Sequence, residues 1–402
     1  MGILGVVAFV IALLISVMIH EFGHYITARK FNMKVTEFFL GFGKRIWSFR
    51  RGETEFGLKA IPAGGYCRIT GMTIHEELTE DEKARAFYEA SVPKRLIVLG
   101  AGSFLHLVLG FLILIVILGG IGTSIITNKV EQVMPCVIKT SDGPTLGECK
   151  PGASKSPANI AGILPGDEIV KIDGVVVTRT TWNKAINVIH KNPNKRINII
   201  VRRDGIEQEL AVTPQAKKFD GKSYGFIGIV NAFGTNRENP IASLKDSAII
   251  TKDVAVNSVT SLFSLPSKIP DLVKQTFGKQ KRDPNGLVGV VGVARVSAQT
   301  VSDPNMKWRD KLTTFLMIIA SLNIFVGIFN LFPLLPMDGG HMAIAVIDGY
   351  RRWNARRKKL PRPHPYDIEK LMPFTLAVVV ILVGLTLLLL AADIFHPVSI
   401  NP

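Results

Sequence analysis

Two histidines and a glutamate, His20-Glu21-x-x-His24, stand in an apolar stretch that holds no charged residue before them. Imidazole nitrogens are good ligands for divalent metals, and on a helix positions i and i+4 lie one turn apart on the same face. His20 and His24 so placed can hold one zinc ion, and Glu21 beside them can act on a water that the metal activates. Ionisable groups are costly inside a membrane, so their presence there marks function by default. The plainer alternative is a pair of histidines that hydrogen-bond to neighbouring helices.

A catalytic zinc site usually takes three protein ligands and leaves one position open. The stretch Asn330-Leu-Phe-Pro333-Leu-Leu-Pro336-Met-Asp338-Gly339-Gly340-His341 offers the third. Pro333 and Pro336 should interrupt a helix, and irregular backbone at membrane depth survives only where protein or a water-filled cavity surrounds it. Asp338 follows the break directly, and its carboxylate can complete a His-His-Asp set. The alternative is an aspartate in a helix-ending turn before Gly-Gly. Depth favours the ligand: at ~1.5 Å per residue His20 lies toward the inner end of the first span. Asp338 comes at the inner end of a span running the same way.

The elements that must carry these residues are four apolar runs, at about 2–28, 96–122, 312–332 and 371–394. Each has the ~20 residues a helix needs to cross a ~30 Å hydrocarbon core. The first has no basic segment before it and no A-x-A pattern after it, so it reads as a retained span rather than a signal peptide. Arg29, Lys30, Lys34, Lys44, Arg45, Arg50, Arg51, Lys94 and Arg95 lie between spans one and two, and a second basic cluster runs from Arg351 to Arg362. By the bias of Lys and Arg toward the cytoplasmic side, both segments face inward and both termini face outward. The long insert between spans two and three is then extracytoplasmic. The net charge of +16 reads as anchoring on anionic lipid, and no nucleic-acid-binding motif accompanies it.

Within the insert, Ala161-Gly162-Ile163-x-x-Gly166-Asp167-Glu168-Ile169 precedes strand-like runs, a helix from Thr181 to His190, and a hairpin pattern around Asp204-Gly205. That order resembles a bacterial PDZ domain over 155–214. PDZ domains bind extended peptides at a sheet edge; a domain that only gates access to the membrane site is the favoured reading. Residues 123–154 read as a linker. Residues 215–310 read as an extracytoplasmic or interfacial segment, with amphipathic helix around 248–265 and a glycine-rich run at 286–292 that is interfacial or re-entrant. Cys136 and Cys149 can pair as a disulfide in an oxidising compartment. Cys67 reads as a packed free thiol.

Taken together, His20-Glu21-x-x-His24 in the first span, one PDZ-like insert, and N-x-x-P-x-x-P-x-D-G-G at 330–340 resemble the site-2 proteases, the family of intramembrane zinc metalloproteases. The resemblance covers nearly the whole chain. It implies zinc (Zn2+) bound by His20, His24 and Asp338, Glu21 as general base, and Asn330 on the substrate backbone, with Asn323 two turns earlier as a weaker substrate contact; for both asparagines the alternative is interhelical hydrogen bonding. It also implies membrane-associated β-structure in the loop 29–95. There, Gly52 to Tyr66 alternates apolar and polar residues near its middle; either an exposed edge pairs with an unwound substrate or the hairpin only seals the cavity. The single PDZ resembles the bacterial branch of the family that cleaves anti-sigma factors. The implied partner is therefore a single-pass transmembrane protein, already cut once, within the lipid bilayer of a bacterial inner (plasma) membrane.

The expected fold class is a polytopic α-helical membrane protein of about four transmembrane helices (1–28, 96–122, 311–341, 371–395). It carries the extracytoplasmic PDZ-like α+β insert, a membrane-associated β-hairpin, and a basic cytoplasmic loop at 342–370. One departure stands out. Relatives often carry G-P-x-x-N in the second span, where this chain reads Gly102-Ser103-Phe104-Leu105-His106. Three rival readings share these features in part. They are a membrane peptidase clearing remnant signal peptides, a non-catalytic PDZ scaffold, and a transporter, for which no inverted repeat is visible.

Overall fold

The computed structural model describes residues 2–136, 149, 154–178, 181–219, 222–278, 280, 282–283, 286–304 and 306–397. The chain divides into two compact units, Met1–Gly122 with Arg237–Pro402, and Thr123–Asn236.

In the first unit, α1 runs Gly2–Lys30, about 44 Å at 1.5 Å per residue, and ends on Arg29 and Lys30, which suit the negative end of the helix dipole. A long hairpin follows, β1 (Val35–Arg51) and β2 (Thr54–Ile69). It is bent back on itself. Phe38 pairs with both Phe56 and Cys67, so 35–42 lies between 54–59 on one side and 61–69 on the other. Among the described residues, no strand covers the outer edge of 61–69. Tyr25 of α1 anchors the hairpin against the rings of Phe38 and Phe56, with centroids 5.6 and 5.4 Å away. Phe42, Ile46, Trp47, Phe49 and Ile61 remain exposed. Such an apolar tip suits contact with lipid better than with water.

A short helix, α2 (Glu80–Ala84), starts in a capping box between Thr79 and Glu82. The Lys34 ammonium and Thr79 hold the Glu82 carboxyl down at about 2. Next, α3 (Val92–Ile115) begins with Pro at its first turn and ends in a π-helical turn, Val116–Ile121. Its N-terminal end is tied down by Arg95, whose guanidinium donates to Asp348 at 3.0 Å with both residues buried.

The second unit is the insert. Its sheet runs β10-β3-β4-β6-β7, built from β3 (Thr123–Val133), β4 (Glu168–Ile172), β6 (Ile197–Arg203), β7 (Ile206–Val212) and β10 (Ile229–Asn236). β5 (Val175–Val176) pairs beside β4, and β8 (Gln215–Phe219) with β9 (Lys222–Phe226) forms a separate ribbon. Two helices, α4 (Pro157–Ile160) and α5 (Trp182–Lys191), complete it. Alternation along β6 sends Ile197, Ile199 and Val201 inward, and β4, with a bulge between Ile169 and Lys171, adds Ile169 and Ile172; together they meet Trp182, Ala185 and Ile189 of α5. The unit is thus wider than the 155–214 expected from its internal motifs. The presumed linker contributes β3, and β10 comes from beyond residue 214. Both are ladder partners whose pairing spans a hundred residues, which local patterning does not reveal. The structure also pairs Cys136 with Cys149.

Asp167, just ahead of β4, accepts hydrogen bonds from the Leu164 amide and from Nε and Nη2 of Arg203. Burial alone would push its carboxyl up, but the Arg203 guanidinium and the Leu164 amide outweigh burial and hold it below its usual 3.8. A carboxyl lowered in the folded state contributes stability that is present above 3.8 and lost as pH falls through the lower, folded value. Thermal unfolding of the insert, followed by hydrogen exchange at β6, should therefore weaken below about pH 4. Asp167→Asn should flatten that dependence; an unchanged slope in the variant would assign it to other groups.

Back in the first unit, α6 (Pro240–Phe277) is one helix of 38 residues, where amphipathic pieces around 248–265 were expected. The glycine-rich run at 286–292, expected as interfacial or re-entrant, has no helix of its own. It is the approach to, and first turn of, α7 (Val290–Ser302). There the buried Asp393 carboxylate accepts from the Gly292 amide at 2.8 Å, supplying a cap the local sequence lacks. Then come α8 (Trp308–Asn330), an irregular segment 331–337, α9 (Asp338–Arg357) and α10 (Met372–Phe395), which carries Asp393. The stretch 342–357, expected as loop, is helical. The third span therefore stops at Asn330, and Asp338 opens a new helix. Four helices, Gly2–Lys30, Val92–Ile121, Trp308–Asn330 and Ile368–Phe395, are long and apolar enough to cross a membrane.

Candidate metal centre

The close crossing of α1 and α3 brings the site together. A Cβ on Gly23 would lie 2.7 Å from the Ala101 carbonyl carbon and oxygen, and a Cβ on Gly102 would lie 2.6–2.8 Å from the His20 ring. Only residues without side chains allow this approach. His20 and His24 then share one face of α1. Asp338 reaches the same point from the start of α9. Its two following glycines pack against the backbone of the broken segment: a Cβ on Gly339 would fall 2.2 Å from the Leu331 oxygen, and one on Gly340 2.6 Å from the Leu335 nitrogen. The D-G-G sequence is thus the condition for turning the chain sharply enough to aim Asp338 at α1.

The three donor atoms form a compact triangle. His20 Nε2 and His24 Nε2 are 3.1 Å apart, and Asp338 Oδ2 lies 3.2 and 3.4 Å from them. Zinc bonds of about 2.0–2.1 Å at the tetrahedral angle put neighbouring donors about 3.3 Å apart. The His24 Nδ1 hydrogen goes to the Val98 carbonyl at 2.8 Å, which leaves the Nε2 lone pair facing the cluster. Asp338 Oδ2 is buried without a hydrogen-bond partner, a costly state unless something positive sits beside it. Lone pairs from two neutral imidazoles and a carboxylate facing one another fit a divalent cation, and the donor set suits zinc.

Glu21 sits beside this triangle against β2. A Cβ on Gly65 would meet the Glu21 side chain at 3.3 Å, and the Cys67 amide faces the Glu21 carboxylate. The uncovered strand 61–69 therefore runs directly past Glu21. Asn330 closes α8 next to the irregular segment, and among the described residues its amide has no hydrogen-bond partner. Asn323 is different. Its Nδ2 donates to the Ile319 carbonyl at 2.8 Å and to Ser16 Oγ at 3.1 Å, and its Oδ1 is 2.8 Å from His106 Nδ1. Its amide makes its hydrogen bonds within the helix bundle, the alternative that the sequence left open for it. Cys136 and Cys149 belong to the insert.

Two contributors were not legible in the sequence. The Val98 carbonyl is backbone, which no motif marks. Gly102 is one glycine among many in an apolar run, although its place in the departed G-x-x-x-H stretch was a signal. A second His/carboxylate group, His75 with Asp367 at 3.3 Å and Glu369 at 3.7 Å, lies at the surface and is accounted for as an ion pair.

Comparison with known proteins agrees with this geometry. The sequence profile of peptidase family M50 matches residues 8–360. Zinc metalloprotease Rip1 of Mycobacterium tuberculosis is 35% identical over 414 residues, covering 100% of this chain and 99% of that protein. A putative zinc metalloprotease of Vibrio cholerae is 25% identical, over 91% of this chain and 93% of its own length. The regulator of sigma-E protease RseP of Salmonella typhimurium is 24% identical, over 85% and 90%. With four helices fit to span a membrane and two histidines and an aspartate gathered at zinc-ligand spacing, the chain belongs to peptidase family M50, the site-2 protease family of zinc metalloproteases.

Proposed function

We propose that this zinc metalloprotease hydrolyses a peptide bond within a transmembrane segment of a single-pass protein, with His20, His24 and Asp338 holding the zinc and Glu21 as general base. The observation that carries the reading is the donor triangle itself, with edges of 3.1, 3.2 and 3.4 Å, on a helix apolar enough to span. Zinc, when bound there, polarises the scissile carbonyl and makes water acidic enough to be deprotonated near neutrality.

The chain's own residues do the rest. Glu21 takes a proton from the attacking water as its oxygen bonds to the carbonyl carbon. As the C–N bond breaks, Glu21 returns that proton to the leaving nitrogen. A substrate helix hides its backbone, so it must unwind before cleavage. The uncovered edge of 61–69 beside Glu21 offers the extended segment a strand to pair with, and the unpartnered Asn330 amide is placed to hydrogen-bond its backbone.

The PDZ-like insert acts as a gate or size filter for substrates. The insert lies on the extracytoplasmic side by the Lys and Arg bias of the loops 29–95 and 342–370, and the chain sits in a bacterial inner membrane with both termini outward. An anti-sigma factor trimmed by an earlier protease is the substrate class. That the relative RseP is named a regulator of sigma-E protease supports that choice.

Purified protein in detergent should cleave a single-pass model substrate inside its apolar stretch, and a chelator should stop it. Re-addition of zinc should restore cleavage. Cleavage that persists after the metal is stripped, or that falls only outside the apolar stretch, would overturn the reading.

A further inference from the structure

The two histidines of the centre are held in different ways. His24 gives its Nδ1 hydrogen to the Val98 carbonyl. His20 turns Nε2 toward His24 and Asp338, so as a neutral ligand it carries its hydrogen on Nδ1. That Nδ1 is buried and has no hydrogen-bond partner. Metal-ligating histidines almost always donate this second N–H to an acceptor, which fixes the ring and raises its basicity. Here the donor lacks its acceptor.

His106 stands next to it. One turn of α3 beyond Gly102, its ring is 2% exposed, and the His20 and His106 centroids are 5.0 Å apart at a 40° tilt. Gly102 and His106 thus form a slot on α3 that receives the His20 ring. The tautomer of His106 follows from its other neighbour. Because Asn323 Nδ2 donates to Ile319 and Ser16, the atom facing His106 is the amide oxygen, which can only accept. His106 must therefore carry its hydrogen on Nδ1, which leaves a lone pair on Nε2. Among the described residues nothing donates to that lone pair. A buried donor without an acceptor adjoins a buried ring with an unused acceptor. The two nitrogens are not hydrogen-bonded in this structure, but at a centroid separation of 5.0 Å a turn of the His20 ring brings them within hydrogen-bond reach, about 3 Å.

We propose that His106 is a positioning residue of the metal centre: its Nε2 accepts the His20 Nδ1–H, and the Ser16–Asn323–His106 chain locks it in the tautomer that can do so. The proposal rests on His20 being a metal ligand, as read above. It also accounts for the histidine at a position where the related G-P-x-x-N pattern has asparagine. An asparagine side-chain oxygen offers the same acceptor.

The test separates acceptor from shape. His106→Phe keeps a ring in the slot and removes both nitrogens; His106→Asn removes the ring and keeps an acceptor. Full-length protein in detergent is titrated with zinc against a competing chelator, and the absorption bands of the cobalt-substituted protein report ligand geometry. Phe is expected to lose about 10–100-fold in metal affinity with shifted cobalt bands, while Asn stays close to wild type. Wild-type affinity in the Phe variant, or equal losses in both, would overturn the proposal. If Phe fails to fold, His106→Leu replaces it, and a large loss in the Asn variant alone is still decisive. His20→Ala runs alongside: metal binding unchanged there would remove the ligand assignment itself, a failure distinct from that of His106.

Discussion

Glu21→Gln is expected to bind zinc as the wild type does, about one per chain, and to lose cleavage by about 10²–10⁴-fold. The substitution is nearly isosteric and leaves His20, His24 and Asp338 untouched, so the donor triangle should persist. What disappears is a basic oxygen. A glutamine carbonyl can accept a hydrogen bond from water but cannot keep its proton or return it to the leaving nitrogen. The packing of Glu21 against Gly65 and the Cys67 amide should also survive, since the glutamine carbonyl can still face that amide. Metal content and turnover of a single-pass substrate, measured on the same preparation, check this. Substantial turnover with full zinc would show that another group moves the proton.

Gly102→Ala should cost about 10²-fold in turnover, with weakened zinc binding, from the addition of one methyl group. The new Cβ would lie 2.6 Å from Cε1, 2.7 Å from Nδ1 and 2.8 Å from Nε2 of His20. Real contacts do not approach so closely, so the ring must move. The His106 ring, 5.0 Å away by centroid, leaves little room on that side. Displacing His20 opens the 3.1 and 3.2 Å edges of the triangle, and a misplacement of about 1 Å at a catalytic centre costs on the order of 10²-fold. Overpacking should also lower stability by about 1–3 kcal/mol. Gly100→Ala is the control. It lies two residues away on the same helix, but its nearest neighbour would be Met342 Cε at 3.9 Å, so it should be close to silent. If the two variants behave alike, the slot does not position His20.

Much of the centre was legible before any fold was known. His20, Glu21 and His24 sit within five residues of one helix, where spacing alone fixes their common face. Asp338 was legible because two prolines and two glycines announce a break in an apolar run. Which of the two asparagines is taken up inside the bundle was not legible. They share a helix face, but what a polar residue on a face meets depends on what packs against each turn. Ser16 and His106 reach Asn323, and among the described residues no side chain hydrogen-bonds to the Asn330 side chain. The insert was recognised from its centre outward. Its internal turns and alternation are local, whereas β3 and β10 pair across a hundred intervening residues.

Residue type and short-range periodicity thus determined the spans, the insert and the metal-binding chemistry, because a helix face or a strand alternation is set by neighbours a few positions apart. The tertiary structure alone decided how that chemistry is held. It assigned the Val98 carbonyl to His24, opened the slot at Gly102 for His20, consumed Asn323, and left the edge of 61–69 uncovered beside Glu21. Each of these depends on where segments distant in the chain cross, and on whether a side chain is small enough to let them.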